Sequence, residues 1–166
     1  IRERYPLEGI VVVSPDVGSA ERARFFSKAL NSDMAIVDKE RDYSRPNTIA
    51  RVRLVGDVRD RDVFMADDLI DTGGSILAAA ELLKEKGARD VYLACSLPFL
   101  NGHAIERFDA AHGKGFFKVL IGTDAVFRGE RFAQDHPWYE EVSVAPLFAK
   151  VLVNINRKRS VSQILD

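Results

Sequence analysis

Val63-Phe64-Met65-Ala66-Asp67-Asp68-Leu69-Ile70-Asp71-Thr72-Gly73-Gly74-Ser75 reads as a buried strand, an acidic turn and the start of a helix. Val63 to Ala66 is a short apolar run ending in two carboxylates, and from Gly74 the period is helical, with Ile76, Ala79, Ala80 and Leu83 on one face. The turn therefore lies at the carboxyl end of a strand. In open α/β sheets that edge binds ligands, and the helix that follows offers unpaired N–H groups and the positive end of its dipole to an anion. Gly73 and Gly74 let the backbone come close, while Thr72 and Ser75 add hydroxyl donors. Ionised Asp67 and Asp68 only accept hydrogen bonds, so they suit the vicinal hydroxyls of a ribose or a hydrated divalent cation. Asp, Thr and Gly also cap ordinary helices, but three aspartates in five residues exceed what a cap requires.

Outward from this stretch, 166 residues fit one domain with a substantial core. Net charge is −1, from 24 basic and 25 acidic residues, so no global charge favours nucleic acid or an anionic membrane. No apolar run approaches the roughly 20 residues needed to span a bilayer, and no signal-peptide pattern opens the chain. The single cysteine, Cys95, sits in an apolar run and reads as a reduced core residue, which fits a cytoplasmic location. The chain opens at Ile1 without methionine, and Ile1 to Leu7 has neither cap nor period. A fragment of something longer is the expectation.

Gly9 to Ser14 is a β-branched run of the kind found in strands covered on both faces. Pro15-Asp16-Val17-Gly18-Ser19 then turns into a helix from about Ala20 to Leu30. This second strand, loop and helix unit places Asp16 at the sheet edge, where an ordinary turn aspartate is the competing reading. Met34 to Asp38 and Arg51 to Val55 read as strands flanking a polar loop from Lys39 to Thr48, in which Lys39, Arg41 and Arg45 either face a polyphosphate or are solvated. Further strands are expected at Asp90 to Ser96 and Lys118 to Gly122, and helices at Ala104 to Ala111 and Val144 to Asn156, the last with Leu147, Val151 and Leu152 apolar. Strands alternating with helices predict an α/β fold with a mainly parallel, doubly wound sheet. Near the end, Ser160-Val161-Ser162 follows the basic run Arg157-Lys158-Arg159 at a possible helix start, where either an anion site or a serine cap is consistent.

The acidic stretch resembles the ribose-phosphate motif of the type I phosphoribosyltransferase fold. Read together, Ser14-Pro15-Asp16-Val17-Gly18, Lys39-Glu40-Arg41, Val55-Gly56-Asp57-Val58, Asp67 to Ser75 and Ser160-Val161-Ser162 are similar in order and spacing to the ribose-phosphate pyrophosphokinase (PRPP synthetase) family. The likeness covers nearly the whole chain, residues 1–166, as one domain matching the carboxyl-terminal half of that enzyme. Three places depart from the family pattern: Gly18-Ser19 stands for a glycine pair, Ser96-Leu97-Pro98 for a Thr-His pair, and Phe127 to Trp138 is bulkier.

The resemblance implies transfer of pyrophosphate from Mg-ATP to ribose 5-phosphate, giving PRPP and AMP for nucleotide biosynthesis. It implies the 5-phosphate on Asp71, Thr72, Gly73, Gly74 and Ser75, the sugar hydroxyls on Asp67 and Asp68, and Lys39 and Arg41 as the catalytic loop pair. Asp16 matches a Mg²⁺-linked aspartate whose partner lies in the other half, and Ser160 and Ser162 match a regulatory phosphate or ADP site between subunits of a homo-oligomer. Two other readings stay open: a nucleobase phosphoribosyltransferase that consumes PRPP, against which no segment for a hood over the base is seen, and a non-catalytic regulatory subunit.

Overall fold

The structure, a computed structural model, describes residues 4–5, 9–41 and 49–164, and at 39–41 and 49–52 it describes the backbone alone. At its centre is β4 (Val63–Ile70), hydrogen-bonded in parallel to β1 (Val11–Ser14) on one side and to β5 (Val91–Pro98) on the other. Successive strand residues face opposite sides of a sheet. Val63 and Met65 accordingly join Val11, Val13 and Leu93 in one core, while Phe64 and Ala66 join Val12 and Tyr92 in the other. Burial on both faces is why these strands are apolar runs rather than alternating ones.

Two crossovers leave this centre in opposite directions. From β1, helix α1 (Ala20–Leu30) returns the chain to β2 (Asp33–Arg41); from β4, α2 (Gly74–Glu85) returns it to β5. The chain continues through α3 (Ala104–Gly113), β6 (Val119–Thr123), α4 (Phe132–Asp135) and β7 (Tyr139–Val142), giving a seven-stranded sheet of order β3-β2-β1-β4-β5-β6-β7. Among the described residues only β3 (Ile49–Val55) runs antiparallel to its neighbour, so the mainly parallel, doubly wound sheet is as expected. Helix α2 buries Ile76, Ala79, Ala80 and Leu83, and α3 adds Phe108 and Ala111 to the same core. The other face is covered by α1, where Ala23 is buried and Phe26 meets Phe64 edge to face at 5.3 Å.

Several elements differ from expectation. Strand β4 runs on through Asp67 and Asp68 to Ile70, because β5 keeps pairing with it (Asp67 with Cys95, Leu69 with Leu97, Ile70 with Pro98). The two carboxylates therefore stand within the second half of the strand rather than in a turn. Likewise β2 extends to Arg41 and β3 begins at Ile49, so Lys39 and Arg41 are strand residues in register with Val52 and Ile49. Their side chains, and Arg45 and Asn47 within 42–48, lie outside the described residues. The bulky segment before Trp138 supplies core: Trp138 and Phe132 are buried, Trp138 stacks on Phe108 at 5.1 Å, and its indole N–H donates to Asp109 Oδ1.

The last helix, α5 (Ala145–Asn156), has no buried residue, and its apolar side chains Phe148, Leu152 and Ile155 are 56%, 65% and 59% exposed. Its apolar pattern does not serve this core. Among the described residues no helix is long and apolar enough to cross a membrane.

At the edge of the sheet opposite the carboxylates, one buried residue ties together the starts of three strands. Asp62 receives two hydrogen bonds from the Arg89 guanidinium (2.8 and 2.9 Å) and one from the Asp90 N–H (3.2 Å), while its carbonyl accepts from the N–H of Val11 (2.8 Å). The hydrogen bonds from Arg89 hold the Asp62 carboxyl below its ordinary value. A carboxylate with a depressed folded-state value contributes stability that is complete above the unfolded-state value and lost as pH falls through the folded one. Asp62→Asn should therefore be less stable than the parent at pH 7 and lose less stability than the parent on acidification through the carboxylate range, as read from urea midpoints between pH 7 and pH 2.

Candidate functional site

Strand order reverses between β1 and β4, since the crossover from β1 turns towards β2 and the one from β4 towards β5. A sheet opens into a crevice at such a point, outside the carboxyl ends of its strands. The ladder between the two strands is short, pairing only Val11 with Val63 and Val12 with Phe64, whereas the β5 side stays paired as far as Ile70. Two loops flank the gap: residues 15–19, between β1 and α1, and 71–73, between β4 and α2.

On the first side, Asp16 is partly buried and its Oδ1 accepts the Ser19 N–H at 2.8 Å, while the Ser14 hydroxyl donates to the Asp16 carbonyl at 2.6 Å. These contacts fix the loop and engage only one of the two carboxylate oxygens of Asp16. On the other side, Gly73 is the N-cap of α2 with φ 74°, and Leu77 N–H donates to its carbonyl at 3.0 Å. A left-handed glycine has no side chain with which to cap the helix, so Gly73 itself makes no side-chain cap hydrogen bond. Gly73 is also packed: a Cβ there would come within 2.5 Å of Phe108 Cε2. Around it, Asn101 donates to Asp71 through its amide side chain (2.8 Å) and its backbone (2.9 Å), and Arg107 donates to the Thr72 carbonyl at 3.3 Å. Asp71 thus anchors the turn to the segment before α3. Asp71, Thr72, Gly74 and Ser75 are exposed along its outer surface.

Asp67 and Asp68 meet a common partner across the gap. Arg22, in the first turn of α1, places Nη1 2.5 Å from Asp67 Oδ1 and Nη2 3.1 Å from Asp68 Oδ2. Burial raises the Asp67 carboxyl above its ordinary value, and the hydrogen bond with Asp67 lowers that of the exposed Asp68. Beneath them the Cys95 thiol lies 3.8 Å from the Asp68 carbonyl, and burial pushes it up to about 12, so it is neutral at physiological pH.

The structure thus brings together Asp16, Asp67, Asp68 and the turn 71–75 at one crevice. It places Ser160 and Ser162 elsewhere, after α5: the Ser160 carbonyl accepts from Asn154 at 2.8 Å, and Ser162 opens a three-residue 3₁₀ turn rather than an α-helix. The basic run is exposed, with Lys158 left-handed at φ 53°. Arg22, Asn101 and Arg107 are the site's unforeseen members, since isolated surface-type residues carry no spacing signal that links them to a motif.

Comparison with known proteins agrees with this fold. A sequence profile of the Phosphoribosyl transferase domain family matches residues 1–129. Ribose-phosphate pyrophosphokinases of Clostridium tetani and Bacillus subtilis are 38% and 36% identical over 159 and 160 residues, each alignment covering 96% of this chain. The alignments take in 47% and 48% of those proteins, so the chain spans about half the length of the curated relatives it matches. A crystal structure of phosphoribosylpyrophosphate synthetase from Mycobacterium smegmatis superposes with a TM-score of 0.77 at 30% identity, over 91% of this chain and 46% of that one. An adenine phosphoribosyltransferase from Leishmania tarentolae, at 20% identity and a TM-score of 0.53, shares the fold over 73% of this chain and 63% of its own.

Gly73→Ala should destabilise the fold by about 1–3 kcal/mol through its left-handed backbone and the Phe108 ring. Gly74 has no positive φ, and the nearest atom to a Cβ there is Arg107 Nη1 at 4.0 Å. Gly74→Ala should therefore cost far less, and urea unfolding of the two variants compares them directly.

Proposed function

The chain belongs to the Phosphoribosyl transferase domain family, and on that premise we propose that residues 1–166 form the sugar-phosphate-binding, carboxyl-terminal half of a ribose-phosphate pyrophosphokinase. In that reaction the 1-hydroxyl oxygen of ribose 5-phosphate bonds to the β-phosphorus of ATP as the bond from that phosphorus to the α-phosphate oxygen breaks. AMP leaves, and the hydroxyl proton passes to solvent. The observation that carries the reading is that the Asp16 loop and the acidic strand end open onto one crevice at the reversal of strand order.

The acceptor needs a fixed pose, because transfer of this kind depends on positioning and electrostatics rather than on covalent chemistry. Asp67 and Asp68 accept the 2- and 3-hydroxyls. The 5-phosphate lies on the backbone of Asp71, Thr72, Gly73, Gly74 and Ser75, where the α2 amide groups and dipole favour an anion. Lys39 and Arg41, late in β2, supply positive charge to the moving pyrophosphoryl group.

Asp16 suits Mg²⁺. Among the described residues no group of three or more His, Cys, Asp and Glu could hold a metal. A single carboxylate fits an ion that keeps several waters and completes its shell with substrate phosphates. The ion, when bound, screens the charge of the polyphosphate.

The complete protein is read as a cytoplasmic homo-oligomer acting on ATP and ribose 5-phosphate, with no nucleic acid or membrane partner. Ser160 and Ser162, beside Arg157, Lys158 and Arg159, form its regulatory anion site together with a neighbouring chain. In that oligomer, changing both serines to alanine should abolish phosphate activation or ADP inhibition and leave ribose 5-phosphate affinity intact. Regulation that survives the double change would reduce these serines to caps.

This chain alone should bind ribose 5-phosphate and inorganic phosphate in a calorimeter, yet release AMP from ATP only slowly compared with the complete enzyme. Absence of ribose 5-phosphate binding would refute the assignment. Release of pyrophosphate from PRPP in the presence of a nucleobase would favour a phosphoribosyltransferase instead.

A further inference from the structure

Arg22 stands in the same strand, loop and helix unit as Asp16, three residues after the Ser19 that binds the Asp16 carboxylate, yet its guanidinium is spent on β4 across the crevice. It touches both carboxylates of the acceptor pair and takes one oxygen from each: Asp67 Oδ1 at 2.5 Å and Asp68 Oδ2 at 3.1 Å. The Asp68 N–H donates to that same Asp67 oxygen at 2.9 Å. The second oxygen of each carboxylate is not engaged by the guanidinium.

An exposed ion pair contributes little to stability, and the arm to Asp68, whose side chain is 71% exposed, is of that kind, but the arm to Asp67 is not. The Arg22 and Asp67 side chains are only 29% and 24% exposed, and the link joins elements 45 residues apart. Two carboxylates on adjacent residues repel each other, and burial already works against the charge on Asp67. A planar guanidinium offsets that repulsion and presents parallel donors at a fixed spacing, whereas a lysine ammonium is a single point charge.

We propose that Arg22 is a positioning residue: its fork holds the Asp67 and Asp68 carboxylates at a fixed separation, so that their remaining oxygens accept the two vicinal hydroxyls of the sugar. The proposal rests on the sugar-phosphate reading of the site. Arg22 acts on the sugar end of the ligand alone. The phosphate end lies on the α2 turn, which Asn101, Arg107 and Phe108 hold without it. A residue that merely stabilised the fold would affect both ends together.

Calorimetry of this chain with ribose 5-phosphate and, separately, with inorganic phosphate distinguishes the two. Arg22→Gln should bind ribose 5-phosphate roughly tenfold more weakly, the loss expected for charge-assisted hydrogen bonds, with phosphate affinity unchanged within about twofold. Arg22→Lys should recover only part of that loss. It also carries the test if Arg22→Gln does not fold, since a lysine that binds the sugar phosphate as tightly as arginine would show the fork to be unnecessary. The proposal is overturned by sugar-phosphate affinity that is unchanged or increased in Arg22→Gln, or by affinities for both ligands that fall in parallel. An unaltered chain that binds neither ligand overturns the site reading and this role with it. An unaltered chain that binds both ligands, with variants that do not show the predicted difference between them, overturns only the role of Arg22.

Discussion

The pairing of β4 is the constraint on which the rest depends. On one side its ladder with β1 stops after Phe64; on the other its ladder with β5 continues to Ile70. Strand polar groups must be paired or solvated, so the unpaired side of residues 65–70 has to open to something. The opposite turning of the two crossovers makes that opening a crevice rather than another strand pair. The same asymmetry explains why two carboxylates tolerate adjacency at the end of an otherwise apolar strand. Inside the sheet they would be uncompensated buried charge, whereas at its open edge they meet an arginine from the neighbouring crossover.

The two walls of the crevice are built by different physics. The α2 turn is set by packing: Phe108 fills the space a side chain at Gly73 would need, and the aromatic group of Phe108, Phe117, Phe132 and Trp138 backs it. The carboxylate wall is set by charge, with Arg22 reaching over from a helix that packs on the opposite face of the sheet. A rigid apolar backing suits a turn that must hold its amide groups for an anion, because closely packed interiors deform little. Charge pairing suits groups that must exchange one hydrogen-bond partner for another when a ligand arrives.

Most of this architecture was legible in the sequence because it follows local periods. Continuous apolar runs marked doubly covered strands, and the spacing of Ile76, Ala79, Ala80 and Leu83 marked the buried face of α2. Asp16 and the pair Asp67 and Asp68 fell at strand ends, and parallel topology brings strand ends together. Long-range effects were not legible. The extension of β4 through polar residues depends on pairing by β5, and Arg22 reaches Asp67 and Asp68 only through the fold. Short β7, with Glu140 bound to Arg4 and Tyr5, has too little alternation to stand out from a loop. Amphipathicity in α5 was correctly visible, but a period reports that a helix has an apolar face and not which surface receives it.

That last helix has an evolutionary consequence. Each of the helices α1 to α4 contributes at least one buried residue, while α5 contributes none. A substitution within α5 removes no fully buried side chain, so the folding free energy of the sheet depends on it less than on α2. Selection on thermodynamic stability, which constrains α2 position by position, has less purchase there. Whatever keeps Phe148, Leu152 and Ile155 apolar acts through a different selective pressure, and sequence drift in α5 and α2 should follow separate clocks.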